Sequence, residues 1–144
     1  MNSRDSHKSF RPVTTLSFRL SRQLYGWSLA YWHGENALLH AAVSLCFFAV
    51  VHIASSGDAV LGFFSAVLFA AHPIHVEAVA SLAHRAELIC ALFFLLAFAA
   101  FLGSSKSDGK LDAPALGLAC ICYALSALSK EFGFTLLGVT VVYG

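Results

Sequence analysis

From residue 36 to the end of the chain, apolar residues gather into five runs separated only by short polar interruptions, and this pattern restricts the fold more than any other feature. Wherever such a run is surrounded by hydrocarbon it must satisfy its own backbone hydrogen bonds, which a helix does within one segment. The runs cover 36–55, 59–71, 76–102, 113–128 and 132–144. Of the 144 residues, 58% are hydrophobic and 12% charged, against roughly 45–50% apolar residues in a soluble domain. The expected class is all-α: a polytopic bundle of about five transmembrane helices over 35–144, preceded by a segment 1–34 of different character.

The run 36–55 approaches the ~20 residues needed to cross a bilayer, and Ser55-Ser56-Gly57-Asp58 then turns the chain. The run 59–71 stops at His72-Pro73, because proline has no amide proton and disfavours a helical conformation in the residue before it. As a helix it reaches only ~20 Å into a ~30 Å hydrocarbon core, which places its histidine end below the headgroups. The third run restarts near Val76, is polar in its first third and is free of charge from Leu88 onward. Residues 103–112 form a hydrophilic loop, and Pro114 suits the first turn of the fourth helix. Lys130-Glu131-Phe132-Gly133 separates the last two runs, and a run cut off at Gly144 reads as a fragment.

Segment 1–34 reads differently. Pro12 can open a helix, after which Val13, Leu16, Leu20 and Leu24 share one face while Arg19 and Arg22 fall away from it. This suits a helix in the membrane interface with arginines toward headgroups or a bound anion; an amphipathic helix packed on protein is the alternative. Trp27, Tyr31 and Trp32 follow, residue types that favour the same layer. The terminal MNSRDSHKSFRP has no apolar core of a signal peptide. A net charge of +1 argues against a dedicated nucleic-acid surface. Cys46, Cys90, Cys120 and Cys122 lie inside apolar runs as small hydrophobes, without disulfide or zinc spacing.

Each crossing moves the chain to the other side, so a count of crossings collects the N-terminal helix, residues 72–87 and Lys130-Glu131 on one face. The opposite face holds only Ser55–Asp58 and the 103–112 loop. A one-sided site produces that asymmetry. Arg4, Lys8, Arg11, Arg19, Arg22, Arg85 and Lys130 lie on the motif face against Lys106 and Lys110 opposite, which by the positive-inside rule makes that face cytosolic. The rule loses force if those cations serve an anionic ligand, and spacing alone leaves the side open.

The polar stretch HPIHVEAVASLAHRAEL is costly at membrane depth and therefore a candidate site. On a continuous helix from Val76, residues Glu77, Ser81, His84 and Leu88 fall on one stripe, Glu87 lies three beyond His84, and Arg85 points aside to meet Glu77 or a phosphate. Glu77, His84 and Glu87 would orient an acceptor hydroxyl, act as general base or hold a divalent cation; mutual pairing at a helix end is the plain alternative. His40 and His52, isolated among apolar residues, read as core or interface histidines rather than ligands. Lys130-Glu131 reads either as a self-paired cap or as a phosphate contact. No HExxH, P-loop or GxSxG pattern is present.

In order and spacing, SHKSFRPVTTLSFRL, ENALLHAAV, FAAHPIHVEAVASLAHRAELICALFFLLAF and ALSKEFGFT resemble the amino-terminal membrane region of the transmembrane and tetratricopeptide-repeat O-mannosyltransferases, the TMTC family. The resemblance implies a partial GT-C-type membrane region of a multi-pass endoplasmic-reticulum enzyme. Such enzymes move mannose from dolichyl phosphate mannose to serine or threonine of acceptor proteins, including cadherin-like ones, on the lumenal side. It further implies that segment 1–34 is lumenal and that His72, His75, Glu77, Arg85 and Glu87 line a lumenal cavity. Arg11, Arg19, Lys130 and Glu131 are then the expected contacts to the lipid phosphate or donor. It implies no catalytic residue in this stretch, because the family's acidic motif precedes SHKS[FY]RP, where this chain has only Met1–Asp5. The fragment itself is thus expected to be inactive. A requirement for metal stays open. Relatives commonly carry glutamine where Phe132 follows Lys130-Glu131, and glycine where His84 precedes Arg85. A polytopic transporter or a non-catalytic membrane scaffold is the alternative function.

Overall fold

The computed structural model describes residues 11–104 and 112–143, and among them every element is helical. The segment 1–10 and most of the 103–112 loop lie outside the described residues. Helix α1 (Pro12–Tyr25) opens on the proline and ends at Gly26, whose φ of 63° is a left-handed conformation that glycine accepts without a Cβ penalty. Helix α2 (Leu29–Ala54) is the longest, at 26 residues. Ser56 and Gly57 turn the chain with φ of 59° and 95°, and Asp58 caps α3 (Ala59–Ala71) by accepting from the Leu61 amide at 2.9 Å.

At Pro73 the chain bends by 50° into a 3₁₀ turn (Pro73–His75) and the short α4 (Val76–Ala80). A second break follows at Ser81, whose ψ of 124° is extended, then a 3₁₀ turn (Leu82–His84) and α5 (Arg85–Ser104). Helix α6 (Ala113–Ser129) is joined through a 3₁₀ turn (Glu131–Phe134) to α7 (Thr135–Tyr143). By length and composition α2 and residues 82–104 can cross a membrane, and the bent α3–α4 unit can be a third span.

The helices pack in the order α3, α2, α5, α6, with α7 against α5 and α1 laid over α5 and α6. Val50, Ala97, Phe98, Cys122 and Leu136 form the buried centre. Ala119, Cys122, Ser126 and Ser129 are all buried on α6, and Ser126 donates to the Cys90 carbonyl of α5 at 3.0 Å. Small residues let helix backbones approach where lipid offers no competing hydrophobic drive. Conversely Leu38, Leu45, Phe63, Phe64 and Leu68 face outward, as expected where hydrocarbon is the solvent. Helix α1 follows the same inverted logic: Thr14 and Ser21 are buried while Leu16, Leu20 and Leu24 are exposed.

Two boundaries depart from the sequence-based expectation. The first span begins at Leu29 rather than residue 36, because Glu35 and Asn36 are paired inside the bundle and need no helix end to reach water. The run 76–102 is not one helix: it breaks at Ser81, and the Asn36 amide donates to the Val79 and Ser81 carbonyls, at 3.3 and 3.4 Å, beside the break. Glu77, Ser81, His84 and Leu88 therefore share no continuous helical stripe.

Candidate functional site

Three polar assemblies sit at one end of the bundle. That end is built from the starts of α2 and α5, the finishes of α3 and α6, and α1 across them. The alternation of spans in the sequence leads to the same one-sided arrangement.

Arg85 opens α5 and is 1% exposed. Its Nε donates to Asn36 Oδ1 at 2.9 Å, Nη1 to Ser21 Oγ at 2.7 Å and Nη2 to the Trp32 carbonyl at 3.0 Å. Nη2 also stands 2.9 Å from Glu35 Oε2, and Ser21 donates to the same carboxylate oxygen at 2.6 Å. The guanidinium lies over the Phe18 ring at 4.6 Å. A buried guanidinium is tolerated when its charge is neutralised and its donors are largely engaged; here Glu35 supplies the counter-charge and four contacts meet Nε and both terminal nitrogens.

Glu87 lies two residues farther along α5. It does not pair with His84 but with Lys130 at the end of α6, Nζ to Oε1 at 2.6 Å, and the ammonium sits 5.0 Å from the Phe132 ring centroid. Both charges are at the rim of a cavity of about 480 Å³ whose walls are otherwise mostly apolar, with Phe47, Phe69, Cys90 and Phe94 among them. The turn that presents Lys130 depends on Gly133: a Cβ there would lie 2.5 Å from the Ala127 amide nitrogen. Beside it, Glu131 is 3.4 Å from Arg11 Nη2, and Thr14 donates to the Ser129 carbonyl at 3.2 Å. Helix α1 is thereby tied to this turn at one end and to Arg85 at the other.

The third assembly gathers His40 of α2 with His72 and His75. Ring centroids of His40 and His75 are 5.3 Å apart, those of His72 and His75 6.1 Å, and the Phe69 ring lies 4.2 Å from His75, tilted by 40°. Two of the imidazoles already hold hydrogen bonds: His72 Nδ1 accepts from the Ile74 amide and His40 Nε2 meets the Ala70 carbonyl of α3, both at 3.2 Å. Among the described residues no group of three or more His, Cys, Asp and Glu side chains is arranged to hold a metal ion.

The expected residues thus divide. Lys130 and Glu87 meet at one cavity, His72 and His75 with His40 at a smaller one of about 300 Å³. Glu77 is exposed on α4, 3.8 Å from His84 Nε2. Arg11 and Glu131 pair with each other, and Arg19 is exposed on α1. Arg85, expected to line a cavity and to point aside toward Glu77 or a phosphate, turns inward to α2 instead of toward Glu77, and there borders a separate cavity of about 460 Å³ with Ser21 and Glu35. Its partners Ser21, Glu35 and Asn36 were not singled out from the sequence, although an adjacent Glu and Asn inside an apolar helix signal a buried counter-charge.

No family model matches the sequence, and no solved structure matches it. Curated relatives do. Human protein O-mannosyl-transferase TMTC3 is 36% identical over 143 residues, covering 99% of this chain and 15% of that protein. Human protein O-mannosyl-transferase TMTC2 is 40% identical over 141 residues, covering 96% of this chain and 17% of that protein. Mouse protein O-mannosyl-transferase TMTC4 is 34% identical over 161 aligned positions, 99% of this chain and 22% of that protein. The chain therefore spans less than a quarter of the length of each of these relatives.

Proposed function

We propose, on the premise that the chain belongs to the TMTC protein O-mannosyl-transferase family, that a protein carrying this segment mannosylates acceptor proteins. Mannose would come from dolichyl phosphate mannose and go to serine or threonine hydroxyls at the lumenal face of the endoplasmic-reticulum membrane. Acceptors of the cadherin type are the class the family resemblance implies. The activity rests on similarity along 96–99% of the chain to proteins named for it. The part played by this segment rests on one geometric observation: Lys130, held by Glu87 at 2.6 Å, stands at the rim of a mostly apolar cavity of about 480 Å³.

That arrangement suits a lipid-linked phosphate. The hydrocarbon tail needs apolar walls, and the phosphate needs a cation at the boundary where those walls end. In the transfer, the bond from the sugar's anomeric carbon to the phosphate oxygen breaks and a bond to the acceptor oxygen forms. The hydroxyl proton goes to a carboxylate base, and dolichyl phosphate leaves. The Lys130 ammonium faces the charge that grows on the departing phosphate, and such a preplaced charge lowers the barrier. Glu87, 2.6 Å from the ammonium, keeps Lys130 aimed. No catalytic base is assigned within this segment, so the segment alone is proposed not to transfer mannose.

The test is mannose transfer by a full-length protein carrying this segment, in membranes supplied with labelled dolichyl phosphate mannose and an acceptor domain. A charge-assisted contact contributes about 1.5–3 kcal/mol, so Lys130→Met should raise the donor KM or depress kcat/KM by about tenfold or more. Unchanged donor kinetics at equal expression would remove Lys130 from the site, and no transfer by the wild-type protein would remove the activity.

A further inference from the structure

We infer that Arg85 is a positioning residue with Glu35 as its obligate counter-ion, fastening α1 to α2 and setting the elbow between α4 and α5, and that it touches neither donor nor acceptor. The donor bookkeeping carries this. A guanidinium has five N–H groups, and four contacts to Asn36, Ser21, Trp32 and Glu35 use both terminal nitrogens and Nε, all between 2.7 and 3.0 Å. The Phe18 ring covers the face of the cation. The residue is 1% exposed; with Glu35 and Ser21 it borders a cavity of about 460 Å³ between α1, α2 and α5, and a phosphate there would have to compete with Glu35 for the guanidinium.

The partners also show what the assembly is for. Ser21 is on α1, whereas Trp32, Glu35 and Asn36 are on α2, so one side chain of α5 ties three helices together. Asn36 is 0% exposed and spends its amide protons on the Val79 and Ser81 carbonyls, so the same assembly holds the broken backbone that precedes α5. The far end of α1 is held at Ser129 and Glu131, flanking Lys130. Helix α1 is thus a strap from the Arg85 assembly to the Lys130 turn. Glu87, two residues along α5 from Arg85, takes its position from the same anchor.

A positioning role and a ligand contact separate in a double-mutant cycle. Breaking a buried ion pair from one side leaves an uncompensated charge, whereas replacing both partners by apolar side chains of similar volume is often neutral. In the full chain in lipid nanodiscs, Arg85→Met and Glu35→Met alone should each lower the thermal midpoint by about 5 °C or more. Together they should recover at least half of that loss and resist chymotrypsin near Tyr25 and Trp27 as wild type does. Should either single variant fail to accumulate, Arg85→Lys and Glu35→Gln form a milder cycle on the same pair. Strict additivity in either cycle would overturn the assignment. This cycle reads folding alone, so it stands even if the transferase reading fails. Where transfer is measurable, the Met–Met pair should regain most of the rate that Arg85→Met loses. A well-folded pair that stays as inactive as Arg85→Met would show a ligand contact and overturn the assignment.

Discussion

Replacing Asn36 by leucine gives the sharpest test of how the broken third run is held. Leucine keeps the branched four-atom skeleton of asparagine but replaces the amide with two bulkier methyls, so overpacking adds to the loss of the hydrogen bonds. Asn36 accepts from Arg85 Nε at 2.9 Å and donates to the Val79 and Ser81 carbonyls at 3.3 and 3.4 Å. The two neutral bonds are long, and neutral interhelical bonds in membranes average about 0.6 kcal/mol, so together they contribute about 1 kcal/mol. The Arg85 bond is charge-assisted and buried, and its loss costs about 1.5–3 kcal/mol. The hydrogen-bond total is about 3 kcal/mol, dominated by the arginine rather than by the carbonyls. For a chain of this size that corresponds to a fall of about 10 °C in thermal midpoint, measured by intrinsic fluorescence in detergent micelles. Leu38→Ala, two positions along the same helix on its exposed side, is the control and should change stability by less than about 0.5 kcal/mol. If Asn36→Leu were as mild as Leu38→Ala, the Asn36 hydrogen bonds would not be what holds the break, and the account of α4 and α5 would be wrong.

Two further expectations follow from the packing. Gly133→Ala places a Cβ within 2.5–2.7 Å of Ala127 and Ser126 backbone atoms; backbone cannot swing aside, so the cost should reach the upper end of overpacking, about 3 kcal/mol. Gly117→Ala meets nothing within 4 Å and should be neutral or gain up to about 1 kcal/mol of helix propensity; equal midpoints for the two variants would contradict the turn geometry. If the leucine face of α1 lies in the leaflet with Arg22 toward headgroups, a spin label at Leu20→Cys should be relaxed more by oxygen than by an aqueous nickel reagent. Arg22→Cys should show the reverse, in a background with the four native cysteines changed to alanine. The same accessibility at both positions would refute the interfacial placement.

Much of the scaffold was legible in residue order. Apolar runs announced the helices, Pro12, Pro73 and Pro114 marked starts and a bend, and alternation of spans collected His72, Glu87 and Lys130 at one end. Those signals are local: they depend on three- and four-residue spacing, on an imide ring, or on counting crossings. Charge pairing is different. His84 lay three residues from Glu87, yet Glu87 found Lys130, 43 positions away. Arg85 found Ser21 at a separation of 64 residues, and Asn36 reached Ser81 at 45. In an apolar bundle a buried charge or a freed carbonyl goes to whichever partner neutralises it with least exposure. Which partner that is depends on how helices far apart in sequence pack. The residue pattern thus settled that polar groups gather at one face of a helical membrane bundle. Tertiary packing alone settled that Arg85 faces inward as an anchor while Lys130 and Glu87 are left at the rim of the cavity.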